Sequence, residues 1–315
     1  MNKQGDYGME NNSRKVEIIF LLLISSFLIS ATNLFASGKK LIKEKSIQTQ
    51  AGQKLTVDAS GADVFVQSWD KNEAYVKIYG NQKAEEKMHF EIEKTGDGVK
   101  ILAKKKSSSW FNFWNNGGFD VRIEVMLPAT YNTDIKTSGG DIAVGKLKGK
   151  VVLNTSGGDI TLNTIEGELY AETSGGDIKI NNHNGYISLS TSGGDITVTK
   201  QKGDLKASTS GGDVHLDMSD GKIWTSTSGG DIDINYYGNN KGIEASTSGG
   251  GIHAKVPASF KASVYLETSG GDIESNFSNC STSKVKRGSF KGEYNGGGES
   301  FVLKTSGGDI TVDQN

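Results

Sequence analysis

Apolar and polar residues alternate with period two in short runs along this chain, and turn residues separate the runs. Ile160 and Leu162 alternate with Thr161 and Asn163; Gly167 follows, and then Leu169 and Ala171 alternate with Glu168, Tyr170 and Glu172. Short period-two alternation bounded by glycine reads as a half-buried β-strand. Each such stretch therefore predicts two strands joined by corners, with the next threonine, Thr173, on the inward side. Upstream, strands are predicted at Leu55–Val57, Ala74–Tyr79, His89–Ile92, Val99–Ala103 and Val121–Leu127.

The alternation is organised by a repeat. Thr-Ser-Gly-Gly begins at Thr137, Thr155, Thr173, Thr191, Thr209, Thr227, Thr247, Thr268 and Thr305. The first six are 18 residues apart, the next two gaps are 20 and 21, and the last is 37, with an irregular stretch inside it. Two adjacent glycines suit a sharp corner because they reach positive φ without steric cost. The aspartate that follows can accept hydrogen bonds from nearby backbone N–H groups. A further glycine (Gly149, Gly167, Gly185, Gly203, Gly221) marks the opposite corner. A flat meander would leave one apolar face and two edges open to water. A coil places the two strands of each unit across a thin core and stacks each unit in register on the next. At about 4.8 Å per strand, a dozen such coils make a rod of roughly 60 Å.

The expected fold class is therefore all-β: a single parallel β-solenoid, read as a right-handed β-helix of 18-residue coils, with a more irregular N-terminal capping segment. The expected organisation is a signal peptide over 1–36, an irregular N-terminal part of the solenoid over 37–136, and regular repeats over 137–315. Ala59–Val66 reads as a worn copy of the repeat. The six-residue apolar motif of left-handed solenoids is missing.

The Ser-Gly-Gly-Asp-Ile repeats, Met126-Leu127-Pro128 ahead of them, and the closing Lys304-Thr305-Ser306-Gly307-Gly308-Asp309-Ile310 resemble an uncharacterised bacterial family of candidate adhesins with β-strand repeats. That family is similar to the head domain of certain autotransporter-like adhesins. The resemblance runs from about Leu41 to the end. It implies a solenoid in the cell envelope and brings no catalytic residues with it.

The N-terminus reads as an address. Arg14 and Lys15 precede an uncharged run from Ile18 to Ala36, and small residues follow at Ser30, Ala31, Ala36 and Ser37. That is the layout of a secretory signal, with cleavage after Ala36. An uncleaved single span is the alternative, although the run is broken by Ser25, Ser26, Ser30, Thr32 and Asn33. Either reading sends the rest of the chain out of the cytoplasm, to the periplasm, the outer surface or beyond, with no later membrane span.

Composition narrows the function. Glycine occurs 42 times and proline twice, which fits many tight turns and neither a disordered linker nor collagen. The net charge of −2 comes from 35 basic and 37 acidic residues, mixed along the chain, so no face argues for nucleic acid. One cysteine, Cys280, excludes a disulfide framework within the chain. The only dense basic run, Lys104-Lys105-Lys106, reads as a solvated edge.

No nucleophile triad, zinc motif or phosphate loop is present, so neither catalysis nor a cofactor is expected. The corner aspartates (Asp141, Asp159, Asp177, Asp195, Asp213, Asp231, Asp272, Asp309) would stack as a like-charge column, which Gly251 interrupts. They lack the oxygen-rich spacing of a calcium roll and read as turn caps. His89, His183, His215 and His253 read as surface residues, the last two some 10 Å apart by strand spacing. Two features are candidate partner contacts. One is an aromatic loop, Trp110, Phe111, Phe113 and Trp114, which either plugs the rod or anchors a partner. The other is an outward column of Tyr170, Ser188, Lys206, Trp224, Glu244 and Tyr265. A glycan, an envelope polymer or another protein fits such surfaces. A structural rod is the alternative reading, and a polysaccharide-acting enzyme a more distant one.

Overall fold

The structure is a computed structural model that describes residues 39–106 and 118–315. The irregular first part holds strands β1 (Lys40–Gln48), β2 (Lys54–Ala59), β3 (Ala62–Trp69) and β4 (Glu73–Gly80), a short helix α1 (Gln82–Lys87), then β5 (Met88–Lys94), β6 (Gly98–Lys105) and β7 (Val121–Pro128). Strand pairs follow: β8 (Asn132–Lys136) and β9 (Ile142–Lys148), β10 (Val151–Asn154) and β11 (Ile160–Glu166), β12 (Leu169–Glu172) and β13 (Ile178–Asn184), β14 (Ile187–Ser190) and β15 (Ile196–Lys202). Next come β16 (Leu205–Ser208) and β17 (Val214–Ser219), β18 (Ile223–Ser226) and β19 (Ile232–Tyr237), β20 (Ile243–Thr247) and β21 (Ile252–Val256). The chain ends with β22 (Ala262–Thr268), β23 (Ile273–Ser275), β24 (Cys280–Lys286), β25 (Ser289–Tyr294), β26 (Ser300–Thr305) and β27 (Ile310–Gln314).

These strands form two long sheets, of 13 and 14 strands, and each pair from β8–β9 to β22–β23 gives one strand to each sheet. The fold is all-β and solenoid-like, with parallel ladders through its middle. Equal repeat positions stack: Ile160 pairs with Ile142 and Ile178, and Leu153 with Ile135 and Ala171. The inward residues of both sheets form one continuous core of Ile, Leu, Val and Ala.

The Thr-Ser-Gly-Gly-Asp corner is what holds one coil to the next. Thr173 Oγ1 donates to the Gly158 carbonyl at 2.9 Å, and Thr191 Oγ1 to that of Gly176 at 2.9 Å. The threonine is buried, as its parity predicts. The second glycine lies flat on the preceding coil: a Cβ on Gly176 would sit 2.1 Å from the Gly158 carbonyl oxygen. The aspartate then reaches forward: Asp177 N–H donates to Asp159 Oδ1 at 2.8 Å, and Asp195 N–H to Asp177 Oδ1 at 3.0 Å. The carboxylates therefore cap the next coil's backbone, and the Asp195 N–H, followed by Lys179, pulls the Asp177 carboxyl below its ordinary value. That hydrogen bonding offsets the like-charge cost of the column. Gly251 donates to Asp231 but offers no carboxylate onward, so the ladder breaks there.

The ends depart from the expected stacking of coils in chain order. In the two sheets the order runs β1-β4-β7-β3-β9 and β5-β6-β2-β8-β10, so the coil β2–β3 lies between β6–β7 and β8–β9. At the other end, β26–β27 lies between β20–β21 and β22–β23. At each end the terminal coil is buried one coil in, covered by β6–β7 at one end and by β22–β23 at the other. The ladder is also not parallel throughout: β1–β4, β4–β7 and β5–β6 are antiparallel at one end, and β22–β25 and β24–β25 at the other. Hairpins let the chain reverse in a short distance and leave room for the inserted coil. β1 carries Lys40, Lys43 and Lys45, and Ile47 is its only buried apolar residue, a composition that discourages edge pairing.

The core beneath the inserted C-terminal coil is aromatic. Tyr236, Phe260, Phe301, Tyr294 and Phe277 touch in sequence, with ring centroids 4.1 to 6.2 Å apart. Burial pushes the Tyr294 phenol up to about 12. These rings are all part of the buried core.

The corner geometry separates its two glycines. A Cβ on Gly175 would find nothing nearer than 3.7 Å, whereas one on Gly176 would strike backbone. Gly176→Ala should lower stability by about 2–4 kcal/mol and Gly175→Ala by under about 1 kcal/mol in urea unfolding, since only the former forces coils apart.

Candidate ligand-binding face

The outward column predicted on one sheet exists. Tyr170 pairs with Ser188, Ser188 with Lys206, Lys206 with Trp224, and Trp224 with Glu244. Beyond Glu244 the order differs from the expectation: Val302 of the inserted β26 comes next, and only then Tyr265. An insertion from a distant part of the chain leaves no local pattern, so sequence spacing placed Tyr265 one strand too close.

Trp224 is 41% exposed and Tyr186 37%. Tyr186 leans on Tyr170, ring centroids 5.8 Å apart. Each aromatic of the column has a lysine against its ring: Lys150 Nζ is 5.0 Å from the Tyr170 centroid, Lys222 Nζ 5.8 Å from Trp224, and Lys291 Nζ 4.6 Å from Tyr265. Carboxylates accompany them. Lys150 pairs with Glu168 at 3.2 Å, and the Tyr265 hydroxyl bonds Glu267, which raises its phenol above the ordinary value. A shallow hollow of about 430 Å³ lies beside Tyr265, lined by Ser263, Ser281, Thr282, Lys291 and Glu293. A smaller one of about 90 Å³ lies beside Trp224, lined by Lys222, Lys241, Glu244, Glu299 and Ser300.

Trp110, Phe111, Phe113 and Trp114 lie outside the described residues. The basic run is tied down: Lys104 pairs with Asp58, Lys105 lies over Phe119 at 5.3 Å, and Lys106 Nζ donates to the Glu86 carbonyl at 2.9 Å. Cys280 is a partly buried free thiol packed on the core.

One histidine contradicts the surface expectation. His183 is buried, its Nδ1 2.8 Å from Gln201 Oε1. The reason is a slip in parity. Ile178 and Ile180 face inward, but Asn181 and Asn182 both face outward, so His183 turns in where strict alternation would turn it out. Ile165 is turned inward by the same slip one coil earlier. His215 and His253 stand two strands apart as expected, with Asp233 between them. His253 Nε2 also bonds Asp313 on β27 at 2.8 Å, tying the inserted coil to its neighbour. Among the described residues, no three His, Cys, Asp or Glu side chains come together to hold a metal ion. Nor is any helix among them long and apolar enough to cross a membrane.

The architecture defines a solenoid-like, all-β repeat protein. A family model matches residues 52–313, and the chain belongs to that family, Toastrack DUF4097. Solved structures resemble it at low identity. A candidate adhesin from Bacteroides fragilis NCTC 9343 is 13% identical, with 88% of this chain and 97% of that one covered and a TM-score of 0.42. A candidate lipid-binding protein from Parabacteroides distasonis ATCC 8503 is 15% identical, with 87% and 96% covered and a TM-score of 0.42. A candidate adhesin from the same organism is 16% identical, with 88% and 97% covered and a TM-score of 0.37. No curated protein matches the sequence.

Burial holds the His183 imidazole below its ordinary 6.5, against hydrogen bonds to Gln201 and Gly167 that raise it. A folded value below the unfolded one gives stability that is complete above about pH 6.5 and is lost as pH falls. His183→Gln, which copies the neighbouring Gln201, should flatten that decline. The check is the difference in urea midpoint between wild type and variant at pH 7.5 and at pH 5.5.

Proposed function

We propose that this chain is an exported, non-catalytic binding module of the cell envelope, adhesin-like in use. The observation that carries the reading is the single outward column of Tyr170, Trp224 and Tyr265, each ring exposed at least in part and each with a lysine against it. Partly exposed aromatics on a rigid sheet contribute binding energy at small entropic cost. The rings lie outside the hydrophobic core and take no part in the corner hydrogen bonds that join the coils. The aromatic loop from Trp110 to Trp114 is a second contact in this reading. Residues 1–36 are the export signal, and the coil is right-handed by the absence of the left-handed motif.

Several observations weigh against the other readings. Both hollows on the face are shallow and lack a buried carboxylate pair, which does not suit hydrolysis of a glycosidic bond. Antiparallel hairpins and the lysine-bearing β1 cover sheet ends, which does not suit end-to-end assembly.

The test is a binding screen of the processed protein against soluble glycans, peptidoglycan, lipid vesicles and whole cells. Trp224→Ala and the double variant Trp110→Ala/Trp114→Ala run beside it. Binding that Trp224→Ala weakens by roughly thirtyfold, about 2 kcal/mol, with unchanged unfolding, is the expected outcome. Retention of full affinity by both variants would contradict it.

A further inference from the structure

Trp224 stands three strands from Tyr170, by way of Ser188 and Lys206. It also stands three strands from Tyr265, by way of Glu244 and Val302. At about 4.8 Å per strand, each interval is about 14 Å. The equality exists only because β26 is inserted: stacked in chain order, Tyr265 would lie two strands from Trp224. The surroundings recur as well. Lys150 and Glu168 flank Tyr170, Lys222 and Glu244 flank Trp224, and Lys291, Lys304 and Glu267 flank Tyr265. Two of the three rings also wall a hollow.

We infer that this face binds a linear, uncharged glycan lying along the axis of the solenoid, with sugar rings stacked on Tyr170, Trp224 and Tyr265 as three equivalent subsites. The inference rests on the binding-module reading and adds its ligand. Two equal intervals on a rigid ladder match a polymer whose rings return at a constant spacing, not a compact molecule. An aromatic face beside lysine and carboxylate side chains offers an apolar platform with donors and acceptors for hydroxyls. Each ring has both charge signs beside it, and Lys150 and Glu168 are paired, so the face carries no field that would hold a polyanion or polycation. The rings are separated by Ser188, Lys206 and Glu244 and so form no continuous apolar patch, which disfavours a bilayer. The strands beneath are paired on both sides, so a peptide finds no edge to extend.

The experiment is calorimetry of the processed protein with β-1,4-linked glucose and N-acetylglucosamine oligomers, from disaccharide to decasaccharide. Tyr170→Ala, Trp224→Ala and Tyr265→Ala run beside it, each checked by urea unfolding. The expected result is affinity that climbs with chain length, falls about thirtyfold with Trp224→Ala and about tenfold with either tyrosine substitution when the decasaccharide is the ligand, and is unchanged by added salt. Binding without length dependence, binding that survives the substitutions, or a preference for charged polymers that salt abolishes would overturn the inference. So would failure of every oligomer. If Trp224→Ala still weakens attachment to vesicles or cells in those cases, the binding-module reading stands without this ligand; if it does not, both fall.

Discussion

The structure depends on how closely one corner lies against the one before it. Glycine stands at the second corner position because the preceding carbonyl occupies the place of its Cβ. That closeness brings the threonine hydroxyl within reach of the same carbonyl, and the aspartate carboxylate within reach of the next backbone N–H. A buried hydroxyl and the corner N–H of the next coil are satisfied by one short motif. Once the corners are held, the two ladders fall into register, and every outward side chain stands above its counterpart on the next coil. The motif that dominates the sequence is thus wholly engaged in stacking. Under the proposed function, recognition falls to the positions that vary between coils.

A stack of coils leaves two ends exposed, and this chain closes both in the same way. The first and last coils are each slid one coil inward and covered by β6–β7 and by β22–β23. Antiparallel hairpins provide the reversal, and at the C-terminal end an aromatic cluster from Tyr236 to Phe277 packs in the core. The inserted coil adds more than closure. It is held by His253 through Asp313 and by the Thr305 hydroxyl on the Gly250 carbonyl, and it sets the distance between Trp224 and Tyr265. Fold and candidate site share that element.

The regular middle of the rod was legible because its signals are local. Ile160 and Leu162 alternate, Gly-Gly marks a corner, and the spacing recurs; Tyr170 and Trp224 could be put in one column by counting. Features that break locality were not legible. His183 turned inward through a one-residue slip, which a polar run of asparagines conceals. β1 carries almost no apolar signal because an edge strand needs little. The placing of Val302 between Glu244 and Tyr265 depends on a pairing across more than fifty residues, which only the assembled ladder reveals.

The order of strands at the C-terminal end is the claim on which both architecture and face rest, and a single distance tests it. Spin labels would be placed at positions 170 and 265 in a chain whose Cys280 is replaced by serine, and their separation measured by pulsed electron resonance. With β26 inserted, six strand steps separate the labels, and a distance centred near about 29 Å is expected. A distance near about 24 Å, five steps, would mean that the coils stack in chain order, and would contradict both the fold of this end and the even spacing of its aromatic rings.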